Sequence, residues 1–280
     1  MSNKVILVVL DGLGFEAAEH CMGFLRALDE QGSATLYKLE SELPSLSRPL
    51  YETLLTSVTP ALSGIVHNQV TRNSSQSSVF SLARDAGLTT AAAAYHWFSE
   101  LYNRSPYDPV RDRHTDNRDL AIQHGCFYHL DHYPDDHLLL DAEWLRRRVD
   151  PDFLLVHPMN IDDAGHRHSG DSAGYRNSVR DADIALSHHL PTWIAAGYQI
   201  LITADHGINN DRSHGGTLPQ ERDVPLFVIG ERFAHQSECQ PRQIEICGLV
   251  CELLGIADHG KPVPKGILQQ EPLIHAVSNL

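Results

Sequence analysis

Short apolar runs limit this chain more than any other feature: residues 5–10 (VILVVL), 153–157 (FLLVH), Gln199–Thr203 (QILIT) and 225–229 (PLFVI). Runs of this kind, β-branched and without polar alternation, belong to strands buried on both faces of a parallel sheet. Residues 88–95, with four alanines, predict a further strand. Between them, residues 16–30, 171–196 and 243–254 carry helical patterns. In the second of these, Val179, Ala182, Leu186, Leu190 and Trp193 form one stripe behind Asp171 as N-cap. Strands alternating with helices imply an α/β three-layer sandwich around a mostly parallel central sheet. The stretch 98–149 breaks this rhythm, being rich in Tyr, His, Asp, Arg and Pro. It reads as an insertion covering the site, within a single domain of residues 1–280.

Bulk properties narrow the function classes. A formal net charge of −14 argues against binding to nucleic acid polymers or anionic membranes. A small anionic substrate stays compatible, because bound dications reverse a local field. The run 5–10 is far shorter than the roughly 20 residues a bilayer span needs. It ends at Asp11 instead of a small-residue cleavage site, so it reads as a strand and not as a signal peptide. The five cysteines are odd in number and form no CxxC pair, which points to reduced thiols in a cytoplasmic protein. A homo-oligomer stays open.

Ligands of α/β sheets collect beyond the carboxyl ends of strands. Polar clusters follow the predicted strands here: Asp11-Gly12, then Asp162-Asp163-Ala164-Gly165-His166, then Asp205-His206-Gly207, then His214-Gly215-Gly216. Alone, each is weak, since Asp-Gly after a strand is usually a turn. Together, three aspartates and three histidines at one sheet end would repel one another without cations. Carboxylate with imidazole suits zinc or a similar transition dication.

A nucleophile candidate lies in Leu43-Pro44-Ser45-Leu46-Ser47-Arg48-Pro49-Leu50. Pro49 is placed as the first residue of a helix running to Ser57, which puts Ser47 where free N–H groups favour an alkoxide or a phosphate oxygen. Ser47 as a plain N-cap is the competing reading, and Ser45 is the fallback nucleophile.

The order Asp11, Ser47 with Pro49, Asp162-x-x-Gly-His166, Asp205-His206-Gly207 and His214-Gly resembles the alkaline phosphatase superfamily, in its type I phosphodiesterase/nucleotide pyrophosphatase branch. The resemblance spans residues 4–230. It implies a hydrolase acting on phosphodiester or pyrophosphate bonds of a small substrate through a phosphoseryl intermediate. It also implies two divalent metal ions, zinc first and manganese second: one on Asp162, His166 and His214, the other on Asp11, Asp205 and His206 beside Ser47. Phosphomonoesters and phosphonates use the same machinery. A sulfatase fits less well, since Tyr51 stands where that group carries arginine, and a metal-stabilised binding protein is the non-enzyme alternative. The branch's phosphate-binding Asn is replaced by Leu50; Arg48 or Asn68 is expected to substitute, with Tyr102, Arg104, Tyr107, Arg111 and Arg113 of the 98–149 stretch reading the rest of the substrate.

Overall fold

The structure, a computed structural model, describes residues 3–236 and 238–269. Eight strands form one sheet: β1 (Val5–Val9), β2 (Ala34–Glu40), β3 (Thr90–Tyr95), β4 (His114–Asp116), β5 (His124–Tyr128), β6 (Phe153–Val156), β7 (Gln199–Thr203) and β8 (Asp223–Ile229). Their spatial order is β2-β8-β7-β1-β6-β3-β5-β4. The five strands from β7 to β5 run parallel, with Val5 opposite both Phe153 and Gln199. β1, β3, β5, β6 and β7 are buried along their whole length, as strands covered on both faces must be. The alanines of β3 fit this position: helix Val79–Asp85 packs against it from one set of helices and Asp135–Val149 from another. Small side chains there let both layers close in.

Several expectations are corrected. β8 pairs antiparallel with β7 and with the edge strand β2, which no apolar run announces. The connection from β7 to β8 holds the loop that carries His214 and only the short helix Pro219–Arg222, so the chain turns back along the same edge instead of crossing over. The predicted helix 16–30 breaks at Met22 into Phe15–Cys21 and Gly23–Glu30. The predicted helix 171–196 divides into Ala173–Ser187 and Leu190–Ala195, and its N-cap is Ser172, whose hydroxyl accepts the Tyr175 N–H, not Asp171. The stretch 98–149 is woven into the sheet: it supplies β4, β5 and a helix packed on β3, β5 and β6. Its strands escape a periodicity reading because β4 has three residues and β5 carries His and Gly among its five. Among the described residues, no helix is long and apolar enough to cross a membrane, and the five cysteines are unpaired.

Candidate active site

Three parallel strands deliver the acidic residues. Asp11 follows β1, Asp205 follows β7, and β6 leads through Met159 into helix Asn160–His168, which carries Asp162 and His166 one turn apart on the same face. Gly12 brings these elements together. It adopts φ +75°, and a Cβ there would lie 2.8 Å from the Asp162 Cα, so only glycine lets the Asp11 turn approach the Asp162 helix this closely. Gly165 serves similarly on the other side, where a Cβ would meet Ile208 Cγ1 at 2.8 Å.

The innermost group is Asp11, Asp205 and His206, all fully buried. His206 Nε2 lies 3.6 Å from Asp11 Oδ1, 3.2 Å from Asp205 Oδ2 and 3.0 Å from Ser47 Oγ. A second group stands beside it: His214 Nε2 is 3.9 Å and His166 Nε2 3.4 Å from the two Asp162 oxygens. The His206 and His214 rings stack at 3.7 Å. Each histidine has its other ring nitrogen against a backbone carbonyl: His206 Nδ1 at Gly207 (3.1 Å), His214 Nδ1 at Ser45 (2.8 Å) and His166 Nδ1 at Arg212 (2.9 Å). A carbonyl only accepts, so Nδ1 carries the hydrogen and the lone pair at Nε2 faces the centre, the usual arrangement of a metal-ligating histidine.

The electrostatics call for cations. Asp11 Oδ1, Asp162 Oδ1 and Asp205 Oδ2 are buried without a hydrogen-bond partner. Burial, followed by the charge of Asp11, holds the Asp162 and Asp205 carboxyls well above the usual carboxylate range. Burial would raise Asp11 too, but the hydrogen bond from His157 and the nearby His206 outweigh it and bring Asp11 to about 2. Burial lowers His206, and burial together with His206 takes His214 down to about 3, so both imidazoles are neutral and free to ligate. Two sets of ligand atoms, from Asp11, Asp205 and His206 and from Asp162, His206 and His214, each lie within 4.8 Å of one another. Orphaned carboxylate oxygens and oriented neutral imidazoles fit a divalent cation in each set. The second set differs from the expected Asp162, His166 and His214. His166 stands at the rim with its side chain 44% exposed, and His206 is shared.

Helix Ser47–Thr56 presents the nucleophile candidate. It begins two residues earlier than its proline predicted, so Ser47 is the first helical residue and Leu46 the N-cap. The donors of its first turn can be counted. Leu46 N–H goes to the Pro44 carbonyl, Arg48 N–H to Asn68 Oδ1, and Pro49 has none, which leaves the amide of Ser47 itself without a partner among the described residues. Ser45 is turned elsewhere. Its hydroxyl donates to the Gly216 carbonyl and accepts from the Gly215 N–H, so it ties the nucleophile loop to the His214 loop. Gln243 makes a parallel tie, donating to the Asp205 carbonyl and accepting from the Glu42 N–H.

Arg48 does not face the centre as expected. Its guanidinium is buried, paired with Glu100 at 2.7 Å and lying over the Trp97 ring at 4.5 Å. Asn68 does sit at the helix start, through its bond to the Arg48 amide. In the 98–149 stretch, Arg104 and Arg111 both pair with the buried Asp112, Tyr102 bonds Glu52, and Tyr107 bonds the Phe127 carbonyl. These groups are held by the protein itself. Asp163 pairs with Arg167 on the outer side of its helix, which leaves Asp162 as the inward carboxylate. Sequence reasoning passed over Tyr51 and His157, both fully buried and both bonded to Asp11 Oδ2. The position of His157 at the end of β6 was the one available signal.

The fold has known counterparts. Murine ectonucleotide pyrophosphatase/phosphodiesterase 5 superposes with a TM-score of 0.71 at 13% identity, over 91% of this chain and 95% of that one. The C-terminal periplasmic domain of EcEptC from Escherichia coli, solved in complex with Zn, gives 0.64 at 12% identity, over 90% and 82%. In sequence, the human GPI ethanolamine phosphate transferase 2 catalytic subunit is 22% identical over 94% of this chain. The chain spans 27% of that relative's length. Across residues 5–215, which carry every expected ligand and Ser47, the sequence matches the family whose order of motifs it shows, and the chain belongs to the type I phosphodiesterase/nucleotide pyrophosphatase family of the alkaline phosphatase superfamily.

Proposed function

We propose that this chain cleaves phosphodiester or pyrophosphate bonds of a small substrate, with Ser47 as nucleophile and two divalent cations, zinc first and manganese second. The reading is carried by the three buried, partnerless carboxylate oxygens of Asp11, Asp162 and Asp205, gathered around the Ser47 and His206 side chains. Asp11, Asp205 and His206 would hold one cation, and Asp162 and His214, with His166 at the rim, the other. Such cations, when bound, lower the pKa of a hydroxyl and neutralise charge on phosphoryl oxygens.

The remaining chemistry belongs to the chain. Ser47 Oγ lies 3.0 Å from His206 Nε2, so the hydroxyl oxygen is already held at the centre; with the His206 lone pair given to a cation, Ser47 would be free to lose its hydrogen and attack. The free amide of Ser47, at the start of a ten-residue helix, is available to a phosphoryl oxygen. As Oγ bonds phosphorus, the bond to the leaving oxygen breaks, and that oxygen departs with a proton. In the second half, an acceptor oxygen loses its hydrogen and bonds phosphorus, the Oγ–P bond breaks, and Ser47 recovers a hydrogen. Water as acceptor makes the enzyme a hydrolase; an alcohol makes it a transferase. The second acceptor is favoured by one observation, that curated relatives are named as ethanolamine phosphate transferases.

Metal content and rates on nitrophenyl phosphodiester, monoester and sulfate, with and without EDTA, test the reading. Diester cleavage that requires bound cations is expected. An added alcohol that diverts product into a new phosphodiester would select transfer over hydrolysis. Purified protein that binds no cation yet cleaves the diester in EDTA would overturn the proposal.

A further inference from the structure

Asp11 has two carboxylate oxygens, and the protein treats them differently. Oδ2 takes two hydrogen bonds, from the Tyr51 hydroxyl and from His157 Nε2 at 3.1 Å. An ionised carboxylate only accepts, so both partners donate. Oδ1 takes none and faces His206. The two donors are themselves held firmly. The Tyr51 ring stacks on Phe98 at 4.4 Å and stands edge-on to the His157 ring at 4.8 Å. Phe98 also packs against His157 at 4.8 Å, and the Tyr128 hydroxyl donates to the His157 carbonyl at 2.7 Å.

Tyr51 stands four residues after Ser47 on helix Ser47–Thr56, one turn along and on the same face. One rigid helix thus presents the nucleophile at one level and a donor to Asp11 at the next. We propose that Tyr51 and His157 are positioning residues that occupy Oδ2 of Asp11, leave Oδ1 as its single ligand oxygen, and so couple the placement of the inner cation to that of Ser47. This inference rests on the reading of the site as a two-cation centre. It adds a specific origin for the inner site's geometry: a monodentate aspartate whose free oxygen is chosen by the nucleophile's own helix. Hydrogen-bond partners of ligating groups fix the ligand's orientation, and their loss typically weakens metal binding about 10–100-fold.

The test uses the full chain, stripped of metal and titrated with Zn²⁺ against a chromophoric chelator, then with Co²⁺ followed by its visible absorption. Tyr51→Phe removes the hydroxyl and keeps the ring on Phe98; His157→Leu removes the other donor, and His157→Gln retains an N–H. Tyr51→Phe is expected to weaken one of the two sites about 10–100-fold, to alter the Co²⁺ bands of that site alone, and to lower kcat more than KM. His157→Leu should act in the same direction, with His157→Gln partly restoring affinity. Wild-type affinity at both sites and unchanged Co²⁺ bands in Tyr51→Phe and His157→Leu would overturn the inference. Equal weakening of both sites would overturn it too, since that marks general loosening of the fold. If wild-type protein binds no cation, the two-cation reading fails instead, so the two failures are separable.

Discussion

The two halves of the site are built differently. Asp11, Asp205 and His206 lie at zero exposure, fixed by β1, β7 and the helix of Ser47. Asp162, His166 and His214 rest on one helix and one loop, with side chains 12%, 44% and 7% exposed. The inner half is held from several directions: Gly12 N–H donates to Asp205 Oδ1, Gln243 to the Asp205 carbonyl, and Tyr51 and His157 to Asp11. The outer half depends on the His214 loop, tied down by Ser45, and on a contact from His166 to the Arg212 carbonyl. A buried charge without a partner costs far more than an exposed one, so a cation bound at the inner half would also serve structural integrity. The outer half reaches solvent through His166, whose side chain is 44% exposed.

Substitutions can break that comparison. Ser47→Ala should have the largest effect, lowering turnover by several orders of magnitude. Its cation content should stay near wild type, as metal analysis beside an activity assay would reveal; equal loss of both would place Ser47 in the ligand framework instead. Next comes the contrast between halves. Asp205→Asn is expected to weaken cation binding roughly a hundredfold or more, since it strips charge from a buried set, and to lower the melting temperature of the loaded protein. His166→Ala should cost about tenfold, with little change in melting temperature. Ser45→Ala should resemble it, because the hydroxyl ties the nucleophile loop to the His214 loop without itself facing the centre. Melting curves at fixed zinc activity would decide, and a reversed ranking would move the structural centre outward.

A smaller effect concerns protons. Ligands must be ionised to coordinate, and Asp162 and Asp205 are held above the ordinary carboxylate range when no cation is present. Zinc binding is therefore expected to release protons from carboxyl groups near pH 6, where exposed aspartates have none left to give. Calorimetry in buffers of different ionisation enthalpy measures this, and Asp162→Asn should reduce the release. The smallest effect lies outside the site. Glu143 is brought to about 2, first by the hydrogen bond from Arg146, against burial, with Arg147 and Trp193 adding to it. Its folded pKa lies below its ordinary value of 4.5, so its contribution is complete above that pH and is lost as pH falls from there through about 2. Glu143→Gln should flatten acid unfolding in that window and leave cation affinity unchanged. A shift in cation affinity would show that the helix Asp135–Val149 communicates with the site.

Most of the candidate ligand set was legible because a strand's apolar run and the polar residue at its carboxyl end are neighbours in sequence. Asp11, Asp205 and His206 could be found this way, and Asp162 with His166 by helical spacing. Arg48 shows the limit of that method. A cation beside the nucleophile looks like a phosphate contact until Glu100 and Trp97, distant in sequence, prove to hold it. Ser45 and Ser47 have similar neighbours, yet one ties a loop and the other faces His206, a choice made by the direction of each side chain around the start of one helix.

From sequence alone came the α/β class, the central strands, and the identity of the residues that crowd their ends, because hydrophobic periodicity and local order are properties of short segments. Tertiary structure alone decided that β8 runs antiparallel, that residues 98–149 extend the sheet, that His206 is shared between two candidate ligand sets, and that Tyr51 and His157 hold one oxygen of Asp11. Each of these depends on which distant segments meet and at what angle. Pairing direction, burial and hydrogen-bond partners are properties of that meeting, and no window of neighbouring residues contains them.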